Sequence, residues 1–192
     1  CFLYYPNIYS DRLATMSYRA GIIGTGGIAG MGILGMHDEE TIGNEKVRAS
    51  HAGGYNAVDE LELVAIADID EERLDTFGEA WDITEESRYV GHDSMLAAED
   101  LDVVSICTPS FLHHQHVVDA ANSDADPDVI WCEKPIASQV SAAEEMVDVC
   151  DQTDTELLVN HSFRFTEDLQ TLHRLIQEEE ILGDVHSVSA QF

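Results

Sequence analysis

The feature that most constrains the fold of this chain is an alternation. Short apolar runs at residues 20–23, 61–67, 103–107, 129–132 and 157–159 are rich in Val, Ile, Leu and Ala. Runs this short and continuous suit strands buried on both faces. Helical stretches separate them. Residues 71–80 follow the acidic turn Asp68-Ile69-Asp70, and residues 113–121 carry Val117, Val118 and Ala121 on one side. Residues 141–150 repeat apolar positions at Ala142, Met146, Val149 and Cys150 behind a capping Ser138, and residues 165–179 place Leu169, Leu172 and Ile176 on one stripe. Strand–helix alternation predicts an α/β fold, a doubly wound parallel sheet with helices on both faces. After Gly183 the pattern changes. Residues 184–192 read as one more strand, with imperfect alternation, which needs partners and therefore predicts the start of a truncated α+β C-terminal domain. The expected organisation is a leader at 1–16 outside the fold, a nucleotide-binding domain at 17–135, and linking helices with a first strand of a second domain at 136–192.

Gly24-Thr25-Gly26-Gly27-Ile28-Ala29 follows the first run directly. This is G-x-G-x-x-A. Gly24 permits a tight turn, Gly26 lets the backbone approach a pyrophosphate, and Ala29 allows close helix–strand packing. The phosphates are expected at the N-terminus of a helix starting near Gly27 and running through Ile28. Such a Rossmann loop wants an acidic residue about 20 positions later, at the end of the next strand. Asp68 closes the 61–67 run but stands much further on. Residues 31–49 contain Gly32, Gly35 and Gly43 and lack helical periodicity. Excising them restores a spacing of about 20 residues and joins Ile28-Ala29-Gly30 to Ser50-His51-Ala52 as one helix. An insertion near 31–49 is therefore expected. Asp68 then binds the adenosine ribose and disfavours a 2′-phosphate, which predicts NAD over NADP. The plainer alternative is that Asp68 only caps the next helix.

Charge excludes several partners. With 38 Asp and Glu against 9 Lys and Arg, the formal charge is -29, with the acids spread along the chain. Such a chain repels nucleic acid and anionic membrane, and neither is an expected partner. No EF-hand spacing appears, so the acids read as a solvated surface that stays soluble in high salt. This predicts a salt-adapted cytoplasmic protein of haloarchaeal type, destabilised by dilution into low salt. No uninterrupted apolar stretch is long enough to span a bilayer. Cys1, Cys107, Cys132 and Cys150 form no C-x-x-C pair, and Cys107 and Cys132 sit in apolar runs, so buried free thiols are expected. Residues 1–15 carry aromatics without the layout of a secretion signal, and Met16 reads as the natural start.

Four further segments carry a family resemblance. Asp102-Val103-Val104-Ser105-Ile106-Cys107-Thr108-Pro109-Ser110, followed by Leu112-His113, resembles the fourth strand and "TP-x-x-x-H" turn of the Gfo/Idh/MocA oxidoreductases. Trp131-Cys132-Glu133-Lys134-Pro135 resembles their E-K-P segment, Asn160-His161-Ser162-Phe163-Arg164-Phe165 the stretch after the sixth strand, and Gly183-Asp184-Val185 the lead into the C-terminal sheet. The resemblance implies that Lys134 contacts a substrate hydroxyl and helps proton transfer, and that Glu133 orients Lys134 near the nicotinamide. It implies that Thr108, Pro109 and His113 line the cofactor cleft. Lys134 is one of two lysines in the chain, with Lys46. Asn160, His161 and Arg164 are candidate substrate contacts, with Arg164 equally well suited to bracing the domain junction. His113 and His116 could share a helix face, but no Cys or acid nearby completes a metal site, so no metal is expected. The family's principal acid/base histidine lies further along than Phe192, so this stretch alone is expected to bind cofactor without completing catalysis. The implied function is an NAD-dependent dehydrogenase acting on a hydroxyl of a sugar, polyol or related small molecule, homo-oligomeric when full length. A non-catalytic NAD-binding sensor or scaffold is the alternative; it could dispense with Lys134, and the intact E-K-P segment favours the enzyme.

Overall fold

The computed structural model describes residues 17–31 and 50–189. The predicted leader and nearly all of the predicted insertion lie outside them. The fold is built on six strands: β1 Tyr18–Ile23, β2 Leu61–Asp68, β3 Arg88–Val90, β4 Val103–Ile106, β5 Val129–Glu133 and β6 Glu156–Asn160. They lie in the order β3-β2-β1-β4-β5-β6. β1 pairs in parallel with both β2 and β4, β2 with β3, and β4 with β5. This order reverses between β1 and β4, the switch point where doubly wound sheets open a crevice at the strands' carboxyl ends.

Helices α1 His51–Asn56, α2 Glu71–Ala80, α3 His92–Ala98, α4 His113–Ala121 and α5 Val140–Thr153 join the strands. Successive side chains of a strand face opposite sides, and β1 shows it. Ile22 enters a core with Ala52, Tyr55, Leu74 and Phe77, from α1 and α2. Ile23 enters the other, with Leu96, Val117, Met146 and Cys150, from α3, α4 and α5. The α2 start follows from its sequence. Asp70 is the N-cap, its carboxylate accepting from the Arg73 amide at 3.2 Å, and Glu71 and Glu72 fill the first turn, where a carboxylate meets the positive end of the helix dipole.

Four expectations need correction. The sheet does not stop at residue 135. α5 and β6 belong with it, and the chain divides at Val159/Asn160, because the 157–159 run completes the sheet. Residues 28–30 and 50–52 do not form one helix. Gly27–Met31 is a π-turn whose Gly30 has non-helical angles, and Ser50 is extended and starts α1 afresh, its hydroxyl accepting from the Gly53 amide at 3.1 Å. The 165–179 helix is in three pieces: a 3₁₀ turn Ser162–Phe165, helix α6 Glu167–His173 and a π-turn Arg174–Glu178. These belong to the second unit, Asn160–Phe192. Residues 184–189 are not strand, since a strand needs a ladder partner to satisfy its backbone.

Candidate dinucleotide site and the E-K-P segment

The glycine loop leaves the carboxyl end of β1. Gly24 has φ +92°, a region that L side chains rarely adopt. A Cβ there would also lie 2.9 Å from the Thr108 amide nitrogen and 2.8 Å from Thr108 Cγ2. The loop thus turns directly against the end of β4, and only glycine fits. Gly26 is the opposite case: nothing lies within 4 Å of a Cβ built on it. Its backbone faces open space of the kind a pyrophosphate needs for close approach. Gly27 and Ile28 are half-buried, and Ala29 is fully buried in one core with Ala20, Ile22 and Ile66, so the third small position lets the turn pack onto the strands.

Asp68 ends β2 beside this loop. Its Oδ2 accepts from the Thr25 amide at 2.8 Å and from the Thr25 hydroxyl at 2.9 Å. Its Oδ1 accepts from the Asp70 amide at 3.0 Å. The capping alternative therefore falls to Asp70, which caps α2, while Asp68 ties the glycine loop to the second strand. A carboxylate offers about four acceptor sites, and these three bonds leave capacity on Oδ1 for a ribose hydroxyl. Arg73, half-exposed, brings a guanidinium nitrogen to 3.8 Å from Oδ2. Thr25, fully buried, was not foreseen as a site residue.

The TP turn and the E-K-P segment sit at the ends of β4 and β5. Thr108 is half-buried and Pro109 exposed. His113 is only 1 % exposed, and its two ring nitrogens face the Thr108 carbonyl at 2.8 Å and the Pro135 carbonyl at 2.9 Å. It does not line a cleft. It braces the TP turn against the E-K-P segment, which corrects its expected place, and both nitrogens are taken. His116 bonds through Nδ1 to the Thr108 hydroxyl at 2.9 Å. Burial, and then the neighbouring His92, push the His116 imidazole down to about 4. Among the described residues His92, Asp93 and Asp119 bring metal-type ligand atoms together. His92 Nε2 hydrogen-bonds Asp119 Oδ2 at 2.8 Å and lies 3.2 Å from Asp93 Oδ1.

Glu133 is buried and Lys134 exposed. Glu133 Oε2 accepts from the Lys134 amide at 3.2 Å, and Oε1 lies 3.1 Å from His51 Nε2. The Lys134 ammonium therefore projects from a carboxylate-anchored turn at the carboxyl edge of the sheet. Cys107 and Cys132 are free and buried, as expected, and so is Cys150. Burial, with the nearby Glu133 charge, pushes the Cys107 thiol well up and the Cys132 thiol to about 12, so neither offers a thiolate. Asn160 is half-buried at the end of β6, while His161 and Arg164 are exposed, the Arg164 amide donating to the His161 carbonyl at 2.9 Å. These three fall at the head of the second unit.

A sequence model described as "Oxidoreductase family, NAD-binding Rossmann fold" matches residues 18–161. The chain belongs to the Gfo/Idh/MocA oxidoreductases. A D-apiose dehydrogenase of Paraburkholderia graminis is 33% identical over 129 residues, covering 67% of this chain and 33% of that protein. A D-glucoside 3-dehydrogenase of Escherichia coli is 28% identical over 181 residues, covering 94% of this chain and 45% of that one. The chain thus spans less than half the length of these curated relatives. An Agrobacterium radiobacter oxidoreductase, solved in complex with NAD+, L-tartaric acid and magnesium, superposes with TM-score 0.69 at 26% identity, over 88% of this chain and 42% of that one. For this Gfo/Idh/MocA chain the cofactor is NAD. The open Gly26 backbone, the buried Thr25–Asp68 pair and the acceptor capacity left on Asp68 fit that group.

Proposed function

We propose that this chain is the cofactor-binding part of an NAD-dependent dehydrogenase that oxidises a hydroxyl of a sugar, polyol or related small molecule. The observation that carries the reading is the joint placement, at one carboxyl edge of the sheet, of an open glycine loop and an exposed lysine on a turn held by a buried glutamate. The relatives named for D-apiose and D-glucoside support the substrate class. NAD supplies the hydride acceptor. Gly24, Gly26, Gly27 and Ile28 hold its pyrophosphate with backbone groups, Asp68 its adenosine ribose, and Thr108, Pro109 and Glu133 its nicotinamide end. The Lys134 ammonium donates a hydrogen bond from Nζ to the reacting oxygen and stabilises the negative charge that develops on it as hydride leaves to NAD, while the hydroxyl proton passes to an acid/base residue of the longer protein. Asn160, His161 and Arg164 are further proposed substrate contacts, on a segment leading to a substrate domain of a longer, homo-oligomeric protein.

The acidic composition supports a salt-adapted protein working in the cytoplasm and away from nucleic acid. Among the described residues no helix is long and apolar enough to cross a membrane. The test of the catalytic reading is Lys134→Ala in the longer enzyme. Turnover should fall by about 100-fold or more, the scale of one lost acid/base or oxyanion group, while NADH affinity changes less than threefold. Unchanged turnover would remove Lys134 from the chemistry.

A further inference from the structure

Behind the E-K-P segment the fold buries a line of four polar side chains from three elements. The Tyr55 hydroxyl of α1 lies 2.5 Å from Ser105 Oγ of β4. Ser105 Oγ lies 2.7 Å from His51 Nδ1 of α1, and His51 Nε2 lies 3.1 Å from Glu133 Oε1 of β5. Their exposures are 2, 0, 1 and 6 % in that order, so water does not reach them to supply a missing partner. Trp131 closes the group, its ring centroid 4.4 Å from that of His51.

The directions of these hydrogen bonds follow from the donors present. Burial, its largest effect, pushes the Tyr55 phenol above its ordinary value, so it stays protonated and must donate. Its acceptor is Ser105 Oγ. The Ser105 hydroxyl then has one hydrogen left to place, and His51 Nδ1 accepts it. An imidazole that accepts at Nδ1 carries its hydrogen on Nε2, and that hydrogen points at Glu133. Every hydrogen of the chain then has an acceptor. In either other form of His51, the Nδ1–H tautomer or the imidazolium, Nδ1 donates to Ser105 and the Ser105 hydrogen is orphaned in the core, a costly arrangement. The Ser–His–Glu composition is that of a nucleophilic triad, but a fully buried serine whose oxygen already accepts from Tyr55 attacks nothing.

We infer that His51, held as the neutral Nε2–H tautomer by Ser105 and Tyr55, is the positioning residue that fixes the Glu133 carboxylate and with it the turn that presents Lys134. Its consequence for the dinucleotide rests on the proposed place of Glu133 near the nicotinamide. Glu133 holds the turn through the Lys134 amide, so loss of the His51 donor removes a buried hydrogen bond from the carboxylate that anchors the turn and loosens its aim.

Two measurements on the 192-residue chain test this. In the first, imidazole ¹⁵N spectra of wild type near neutral pH are used, with the His51 signals identified by the through-space contact of its ring protons with the Trp131 indole. The Nε2–H pattern is expected, and an Nδ1–H or imidazolium pattern overturns the inference even if every variant fails to fold. In the second, NADH is titrated by fluorescence into wild type, His51→Asn and His51→Gln, with circular dichroism to report folding. The Gln amide reaches the place of Nε2 and keeps the donor to Glu133; the shorter Asn amide reaches only that of Nδ1. Tenfold or weaker binding in the folded His51→Asn variant, largely restored in His51→Gln, is expected. Equal binding by wild type and His51→Asn, or equal loss in both variants, overturns the positioning role. Absence of NADH binding by wild type overturns the cofactor reading itself, and the spectra then decide the tautomer alone.

Discussion

Two glycines two positions apart in sequence, Gly24 and Gly26, should respond oppositely to one added methyl group. At Gly24, Gly24→Ala places a Cβ on backbone of φ +92°, 2.9 Å from the Thr108 nitrogen, 3.0 Å from the Cys107 carbonyl carbon and 2.8 Å from Thr108 Cγ2. Left-handed backbone costs a non-glycine residue roughly 1–2 kcal/mol. Overpacking against atoms that cannot swing away adds roughly 1–3 kcal/mol. The sum, roughly 2–5 kcal/mol, is a large share of the roughly 5–15 kcal/mol by which a domain is stable. At roughly 2–4 °C per kcal/mol, Tm should fall by roughly 5–20 °C. Gly26→Ala meets nothing within 4 Å, so its stability should stay within about 0.5 kcal/mol of wild type. Its Cβ instead occupies the space proposed for the pyrophosphate, and NADH affinity should fall at least tenfold, about 1.4 kcal/mol. The assay is a pair of curves for each variant: thermal unfolding by circular dichroism and NADH titration by fluorescence, in high salt. A stable Gly24→Ala would refute the steric argument. A Gly26→Ala protein that binds NADH like wild type would refute the placement of the phosphates.

Asp68→Asn should narrow the preference for NADH over NADPH by about tenfold or more, because the charge facing a 2′-phosphate is removed while Arg73 remains; competitive titration with both cofactors checks it, and an unchanged ratio would count against Asp68 as the ribose ligand. Stability should also depend on pH through His116. In the unfolded chain it takes up a proton near pH 6.5, whereas burial in the fold delays uptake to about 4. The unfolded state therefore binds more protons across that window, and stability falls as pH drops from 6.5 to 4, by about 3 kcal/mol in all. His116→Gln should flatten the midpoint-versus-pH curve from chemical denaturation over the same interval; an unchanged slope would locate the titrating group elsewhere.

Which parts of this architecture can be read in one dimension follows from how local their causes are. The apolar runs announce β1, β2, β4 and β5 because their carboxyl-terminal halves are buried, and β6 through Leu157-Leu158-Val159, although that strand lies at the sheet edge and is only partly covered. Helices α2 and α4 match their predicted spans, since their apolar periodicity is local, and α2 is also preceded by its cap Asp70. β3 leaves no such trace: Arg88-Tyr89-Val90 is three residues long at the sheet edge, with nothing buried. α3 is two turns long, with only Met95 and Leu96 buried. The 165–179 stripe reads as one helix, yet Leu169 and Leu172 remain exposed, without the packing that would hold a single long helix together. The site divides the same way. The glycine loop and E-K-P segment are contiguous and legible. The Thr25–Asp68 pair spans 43 positions, and His51 stands 54 from Ser105 and 82 from Glu133. Only parallel strand order brings such residues together, so no spacing rule reveals them. His113 shows the converse: a histidine opening a helix near the cleft reads as a cleft residue until its two carbonyl partners are seen.

The central claim is that the edge of this sheet holds NAD, and titration of the folded chain with NADH and NADPH in high salt tests it most directly. Saturable binding at a single site, tighter for NADH and lost in Gly26→Ala, is the predicted result. A folded chain that binds neither cofactor, or binds NADPH the more tightly, would contradict it.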